Sequence, residues 1–160
     1  VPYSWKRTLD AHPYIHDITT DTLNPPDFVV VSGLRTAEHH SIDYDGLEVA
    51  EQQKKAYPDI KTIVVGDEPE VVLVEAADIL TKMGLEIVGS DADAGRIEAT
   101  ATTLLYGFKD DVVVRISAGD AGTARVDVRS KSRVGKSDLG QNAKRIRQFT
   151  DSLMLRFPKG

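Results

Sequence analysis

The sequence predicts an α+β domain in which two amphipathic helices flank a four-stranded antiparallel meander, preceded by an irregular N-terminal arm. Three observations carry this. Apolar residues recur at helical spacing over 68–83 and again over 137–157. Between those segments, four runs alternate apolar and polar side chains with the period of two expected of half-buried strands. The connections between the runs are short and rich in Gly, Asp and Ser, so neighbouring strands are antiparallel. Residues 1–160 read as one domain, with 1–60 an arm carrying a short strand and a short helix, and 61–160 an α-β-β-β-β-α core.

In chain order, residues 1–27 read as irregular because Pro13, Pro25 and Pro26 interrupt polar Thr/Asp clusters that hold neither period. Tyr3, Trp5, Tyr14 and Phe28 are large enough to lay the arm against the body. Phe28–Val31 is a short strand candidate, and 46–56 is a modest helix closed by Pro58. The first strong helix spans 68–83. Asp67 stands at its N-cap, Pro69 falls in the first turn where a missing N–H costs nothing, and Gly84 stops it. The strands follow at 85–89, 96–103, 111–117 and 123–132. Val112, Val114, Ile116, Val126 and Val128 face inward, and Arg125, Asp127, Arg129 and Lys131 face outward. The last helix starts at Ser137 as N-cap, with Leu139, Ala143, Ile146, Phe149, Leu153 and Phe157 on one stripe. Two helices cover one sheet face, which leaves the other to solvent, the arm or a partner.

Composition excludes several function classes. The chain has 160 residues and no cysteine, which rules out disulfides, thiolate metal sites and cysteine nucleophiles. No apolar run is long enough to span a membrane, and the start at Val1 fits a processed product or an excised soluble part. The net charge is −5, yet residues 125–147 hold eight basic residues against Asp127 and Asp138, a local +6 that leaves −11 elsewhere. An acidic chain is a poor general binder of nucleic acid, because its summed field repels phosphate. Pairing of this basic ladder with acidic neighbours such as Asp110 and Asp111 is its simplest use.

The candidate chemical constellations are sparse. His12, His16 and Asp17 would need a helix to converge on a metal, and Pro13 with the β-branched Ile18-Thr19-Thr20 opposes one. His39-His40 with Asp43 and Asp45 lacks the remaining ligands of a calcium loop, so no metal or cofactor is expected. Gly135-Lys136-Ser137 resembles part of a phosphate loop, but Ser130 stands where the upstream glycine belongs. The start of the last helix, with Arg133, Lys136 and Ser137 nearby, suits an anion, although Asp138 competes for the same N–H groups. Asp110/Asp111, or Ser132/Ser137 with Arg133 as anion stabiliser, are the residues a hydrolase would use. No set combines nucleophile, base and orienting group.

Several stretches carry a family resemblance. They are Ile15–Asp21 with Pro25-Pro26, Ala56-Tyr57-Pro58-Asp59-Ile60, Gly95–Ala99, Gly107–Arg115 and, most specifically, Val126–Ile146. Together, over about residues 13–155, they resemble the bacterial family catalogued as domain of unknown function 1499. The resemblance brings no activity. It implies the soluble portion of an envelope protein, on the periplasmic face of a membrane and anchored by a segment outside this chain, while cytoplasmic relatives keep that setting open. The order helix, meander, helix is also similar to helix-grip modules of envelope lipoproteins such as BamC.

The expectation for function is therefore a non-enzymatic envelope module that binds a protein, an anionic lipid or a small anionic ligand. Its binding residues would be Arg115, Arg129, Ser132, Arg133, Lys136 and Arg145, with Asp110, Asp111, Ser137, Asp138 and Asn142 as structural ties. Neither nucleic acid nor a particular oligomeric state is implied.

Overall fold

The protein, in a computed structural model, is described over residues 15–35, 42–102, 107–134 and 140–157. Its strands are β1 (Asp17–Thr19), β2 (Ile63–Val65), β3 (Glu86–Asp91), β4 (Arg96–Thr102), β5 (Lys109–Ala118) and β6 (Ala124–Ser132). Its helices are α1 (Leu47–Ala56), α2 (Pro69–Lys82) and α3 (Gln141–Arg156), with a 3-10 turn at Val31–Leu34. All six strands join one antiparallel sheet in the order β1-β6-β5-β4-β3, and β2 also pairs with β6.

The α+β class and the β3–β6 meander stand as the alternating pattern predicts, but the sheet has six strands where four were expected. The two additional strands are three residues each, too short to show a period, and both are recruited by the outer edge of β6. β1 lies against Arg129–Lys131 and β2 against Ala124–Val126. Between them Thr20 serves the backbone of β6 at Val128, accepting from Val128 N–H through its hydroxyl at 2.9 Å and donating its own N–H to Val128 O at 2.9 Å.

Two further expectations are corrected. Phe28–Val31 is not a strand. Glu98, buried on β4, accepts hydrogen bonds from the backbone N–H groups of Val29, Val30 and Val31, which curls the segment into the 3-10 turn. The last helix begins at Gln141, because Gly140 adopts φ +85 and ends any continuous helix there. Ser137 and Leu139 lie outside the described residues.

The core fills the space between the sheet and helices α2 and α3. Val72, Ala76, Ile79 and Leu80 of α2 join Ala143, Ile146, Phe149 and Leu153 of α3 over Ile97, Val112, Val114, Ile116, Val126 and Val128. Each large side chain buried in this way stabilises the fold by about 1.5–3 kcal/mol. α2 ends as its sequence requires, with Gly84 at φ +89 and Leu85 N–H donating to Leu80 O at 3.0 Å.

The opposite sheet face is covered too. Residues 20–35 and 42–45 strap across it, and Phe28, Val31 and Val113 form a small second core with Ile42 and Val88 packed against it. Asp127, Arg129 and Lys131, expected to face outward, do point to this side but are buried under the strap. Arg125, nearer the open end, stays exposed.

Candidate functional site

The charged side chains of β5 and β6 are organised in two layers, one on each sheet face. Beneath the strap, Arg129 lies bidentate on Asp17, Nε to Oδ1 at 2.9 Å and Nη2 to Oδ2 at 2.8 Å, and donates to the carbonyls of Pro26 and Ile42. Its guanidinium also lies 4.8 Å from the Phe28 ring centroid and 5.7 Å from that of Tyr44. Lys131 Nζ joins the same carboxylate at 3.2 Å and the Asp43 carbonyl at 2.7 Å. Burial holds the Lys131 ammonium below its usual range, and burial together with Asp17 pushes the Tyr44 phenol up to about 12.

A second node on this face is Asp111. Its carboxylate accepts from Arg133 Nε at 2.9 Å and Nη2 at 2.8 Å, from Arg35 Nε at 3.0 Å and from the Thr100 hydroxyl at 3.0 Å. The hydrogen bonds to Asp111 raise the Arg133 pKa further. At the third node Asp127 accepts from the Thr20 and Thr62 hydroxyls and from Arg115, which also reaches Asp21 and the Asn24 carbonyl.

On the helix face, Arg145 of α3 pairs with Asp110 at 2.9 Å and donates to the Ser130 hydroxyl and to Asn142 Oδ1. Asn142 accepts from Ser130 and donates to the Ser132 hydroxyl and the His16 carbonyl. This network ties β6, β5, α3 and the chain entering β1 into one unit.

These positions bear directly on the residues singled out from the sequence. Arg129 and Arg145 are buried in ion pairs, and Ser132 and Asn142 are buried in the helix-face network. Arg115 is half-buried over the strap. Lys136, Ser137 and Asp138 lie outside the described residues, as do His12, His39 and His40. Asp110 and Asp111 sit on opposite sheet faces, each holding guanidinium groups, so they do not act as a carboxylate pair. The Ser132 hydroxyl accepts from an amide that has no basicity to take its proton. Among the described residues no group of three His, Cys, Asp or Glu is placed to hold a metal ion.

Arg133, buried like Arg145 over most of its surface, keeps one edge at a concave surface. Arg133 lines a cavity of about 290 Å³ together with Gly107, Phe108, Lys109 and Val134. Its Nε and Nη2 are taken by Asp111 and Thr100, whereas its Nη1 makes no hydrogen bond among the described residues and is not among the buried unpartnered atoms. That edge therefore meets water. Lys109 is exposed beside it, and Phe108 is 52 % exposed. The positions are fixed by the sheet: Arg133 N–H donates to the Lys109 carbonyl at 3.0 Å where β6 leaves its pairing with β5. Lys109 escaped the sequence reading because a single lysine at a strand entrance looks like any solvated charge.

Comparison with known proteins places this geometry in context. Residues 17–153 match the sequence model of a family described as protein of unknown function (DUF1499), nearly the span of the resemblance carried by the sequence stretches. Among solved structures, the chain is similar to the Zhui aromatase/cyclase from Streptomyces sp. R1128, at 13 % identity over 59 % of this chain and 82 % of that one, with a TM-score of 0.35. It is also similar to TTHA0849 from Thermus thermophilus, at 12 % identity over 59 % and 89 % of the two chains, with a TM-score of 0.32. Likenesses this distant carry no argument about activity. No curated protein matches the chain.

Proposed function

The chain belongs to the DUF1499 family of proteins of unknown function, and we propose that it is a non-enzymatic binding module of the cell envelope that takes an anionic group at the Lys109–Arg133 cup. The observation that carries this reading is the state of Arg133. Asp111 holds two of its nitrogens and so fixes the guanidinium in place, while Nη1 makes no hydrogen bond among the described residues and lies beside the exposed Lys109. A guanidinium anchored from behind loses little freedom when it binds a carboxylate or phosphate. The Phe108 ring offers an apolar contact next to that charge.

The alternative, a hydrolase, gains no support from these residues. Asp110, Asp111 and Ser132 are buried and committed to structural partners, and none stands with a base in a cleft. The envelope setting rests on the family resemblance alone, and fractionation of cells expressing the full-length protein tests it.

The binding reading is tested by NMR titration with inorganic phosphate and, separately, with vesicles of phosphatidylglycerol. Saturable shifts at the amides of Phe108, Lys109 and Arg133 are expected with at least one of the two, and Lys109→Glu should abolish them without altering the fold. Flat titrations with both probes would refute anion binding at the cup. Charge reversal at Arg129, by contrast, reports on folding, because that residue is buried on Asp17.

A further inference from the structure

The two faces of the sheet are covered by different physical means. On one face α2 and α3 bury a continuous apolar core against the strands. On the other, the strap gives the second core only Phe28 and Val31 as buried side chains, with Ile42 partly buried. Four of its large apolar side chains, Leu23, Val29, Val30 and Leu34, are instead 86 %, 50 %, 40 % and 46 % exposed. Apolar burial therefore holds the strap much less firmly than it holds the helices.

Charged side chains of the sheet fasten the strap by its backbone. Glu98 of β4 accepts from the N–H groups of Val29, Val30 and Val31 at 2.8, 2.8 and 3.1 Å. Arg129 donates to the carbonyls of Pro26 at 3.0 Å and Ile42 at 2.6 Å, Lys131 to that of Asp43 at 2.7 Å, and Arg115 to that of Asn24 at 3.0 Å. When such a tie parts, water serves both the charge and the peptide group, so the net cost is a fraction of the bond itself. Parting also rehydrates Glu98, Arg129 and Lys131, all of them buried in the closed arrangement, and relieves the desolvation that burial imposes. An ionic layer under a cover with few apolar contacts brings closed and open forms near each other in free energy.

The strap can lift without dismantling its roots. At one end Thr20 is fixed on β6, by its backbone and hydroxyl to Val128 and by its hydroxyl to Asp127. At the other end Gly46, at φ +85, leads into α1, which Gln53 ties to Thr19 by two hydrogen bonds. The roots are thus joined to each other and to the sheet, as in a compact surface loop with adjacent ends. Residues at the ends of elements are the usual places for a hinge's change of dihedral angle.

We propose that the strap, residues 21–35 and 42–45, is a lid. It swings off the sheet as one unit about Thr20 and Gly46, with β1, α1 and the helix-face core in place, and uncovers the charged face around Glu98, Arg129 and Lys131. A ligand of that face meets only the open fraction of molecules, so the lid sets its apparent affinity. The lid does not depend on anion binding at the Lys109–Arg133 cup.

Native-state hydrogen exchange of the full chain, followed by NMR in increasing sub-denaturing urea, tests this. The amides of Val29, Val30 and Val31 should share one opening constant, at least about tenfold larger than that of Val112, Val113 and Val114 in the middle of the sheet. Its urea dependence should be the weaker of the two, because lifting the strap exposes less surface than unfolding the domain. Ile146→Val loosens the helix-face core and should raise the opening constant at Val112–Val114 by about two- to tenfold, leaving the strap amides unchanged. Acetylation of Lys131 by an added N-hydroxysuccinimide ester, read at early times by mass spectrometry, should likewise be unchanged by Ile146→Val, since lifting the strap alone uncovers its Nζ. A single opening constant for strap and sheet, or strap amides that speed up together with Val112–Val114 in Ile146→Val, would mean that the strap leaves only on global unfolding and would overturn the proposal. So would three different constants at Val29–Val31, the mark of fraying residue by residue, or Lys131 acetylation that follows the sheet amides.

Discussion

Arg129 and Asp17 form a bidentate ion pair in which each residue is 2 % exposed, bridging β6 and β1 across a sequence separation of more than a hundred residues. Such a pair need not add net stability, because both charges have left water, but it penalises any structure in which one partner is missing. Asp17→Ala should destabilise the protein by about 3–5 kcal/mol, since it leaves Arg129 and Lys131 buried without their shared carboxylate. Urea unfolding checks this. Lys131→Met should cost far less, below about 1.5 kcal/mol, because Asp17 keeps its arginine and burial already disfavours the ammonium.

The same cluster predicts an alkaline response. The Tyr44 phenol rises from its ordinary value of about 10 in the unfolded chain to about 12 in the folded protein, chiefly through burial and then through Asp17. Between those values the folded state binds more protons than the unfolded state, so stability falls as pH rises through that window. Below pH 10 the contribution is constant. Tyr44→Phe should remove this component, giving a shallower loss of stability between pH 10 and 12 in denaturation midpoints measured across that range.

What could be read from the sequence follows from the length of each signal. Helix α2 and strands β4 to β6 repeat their pattern over 7 to 14 residues, and they stand within two residues of where the periodicity puts them. β1 and β2 are invisible because three residues carry no period, and what makes them strands is the vacant edge of β6. Glu98 reads as a solvated strand residue, since alternation assigns a face without revealing that a strap will cover it. Pairing of the basic ladder with acids was legible, because eight basic residues in one segment demand partners. Asp17 as the partner of Arg129 was not, as nothing local links residues so far apart.

Gln53 supplies the next test. It lies on α1 in a helix whose exposed neighbours are Glu51, Gln52, Lys54 and Lys55, yet it is 1 % exposed and spends both ends of its amide on Thr19. Gln53→Ala leaves a buried N–H and C=O unpaired and should cost about 2–4 kcal/mol. Gln53→Glu tests the donor half alone: the carboxylate still accepts from Thr19 N–H but faces the Thr19 carbonyl without a proton to offer. Hydrogen exchange at Thr19 should accelerate in both variants, while exchange in β4 and β5 should change only by the global loss of stability.

A comparison of two glycines separates backbone conformation from crowding. Gly84 and Gly95 both hold positive φ, +89 and +68, where a residue with a Cβ costs about 1–2 kcal/mol. A Cβ built at Gly84 meets nothing within 4 Å, so Gly84→Ala should cost only that conformational amount. A Cβ at Gly95 would stand 2.1 Å from the Ile116 carbonyl oxygen, and Gly95 O itself accepts from Ile116 N–H at 2.7 Å. The obstacle is backbone in the middle of the sheet, so β5 must move away from the turn between β3 and β4. Gly95→Ala should therefore cost at least about 2 kcal/mol more than Gly84→Ala in parallel denaturant titrations, with amide shift changes centred on Ile116. Equal costs for the two variants would mean that the turn yields without disturbing β5.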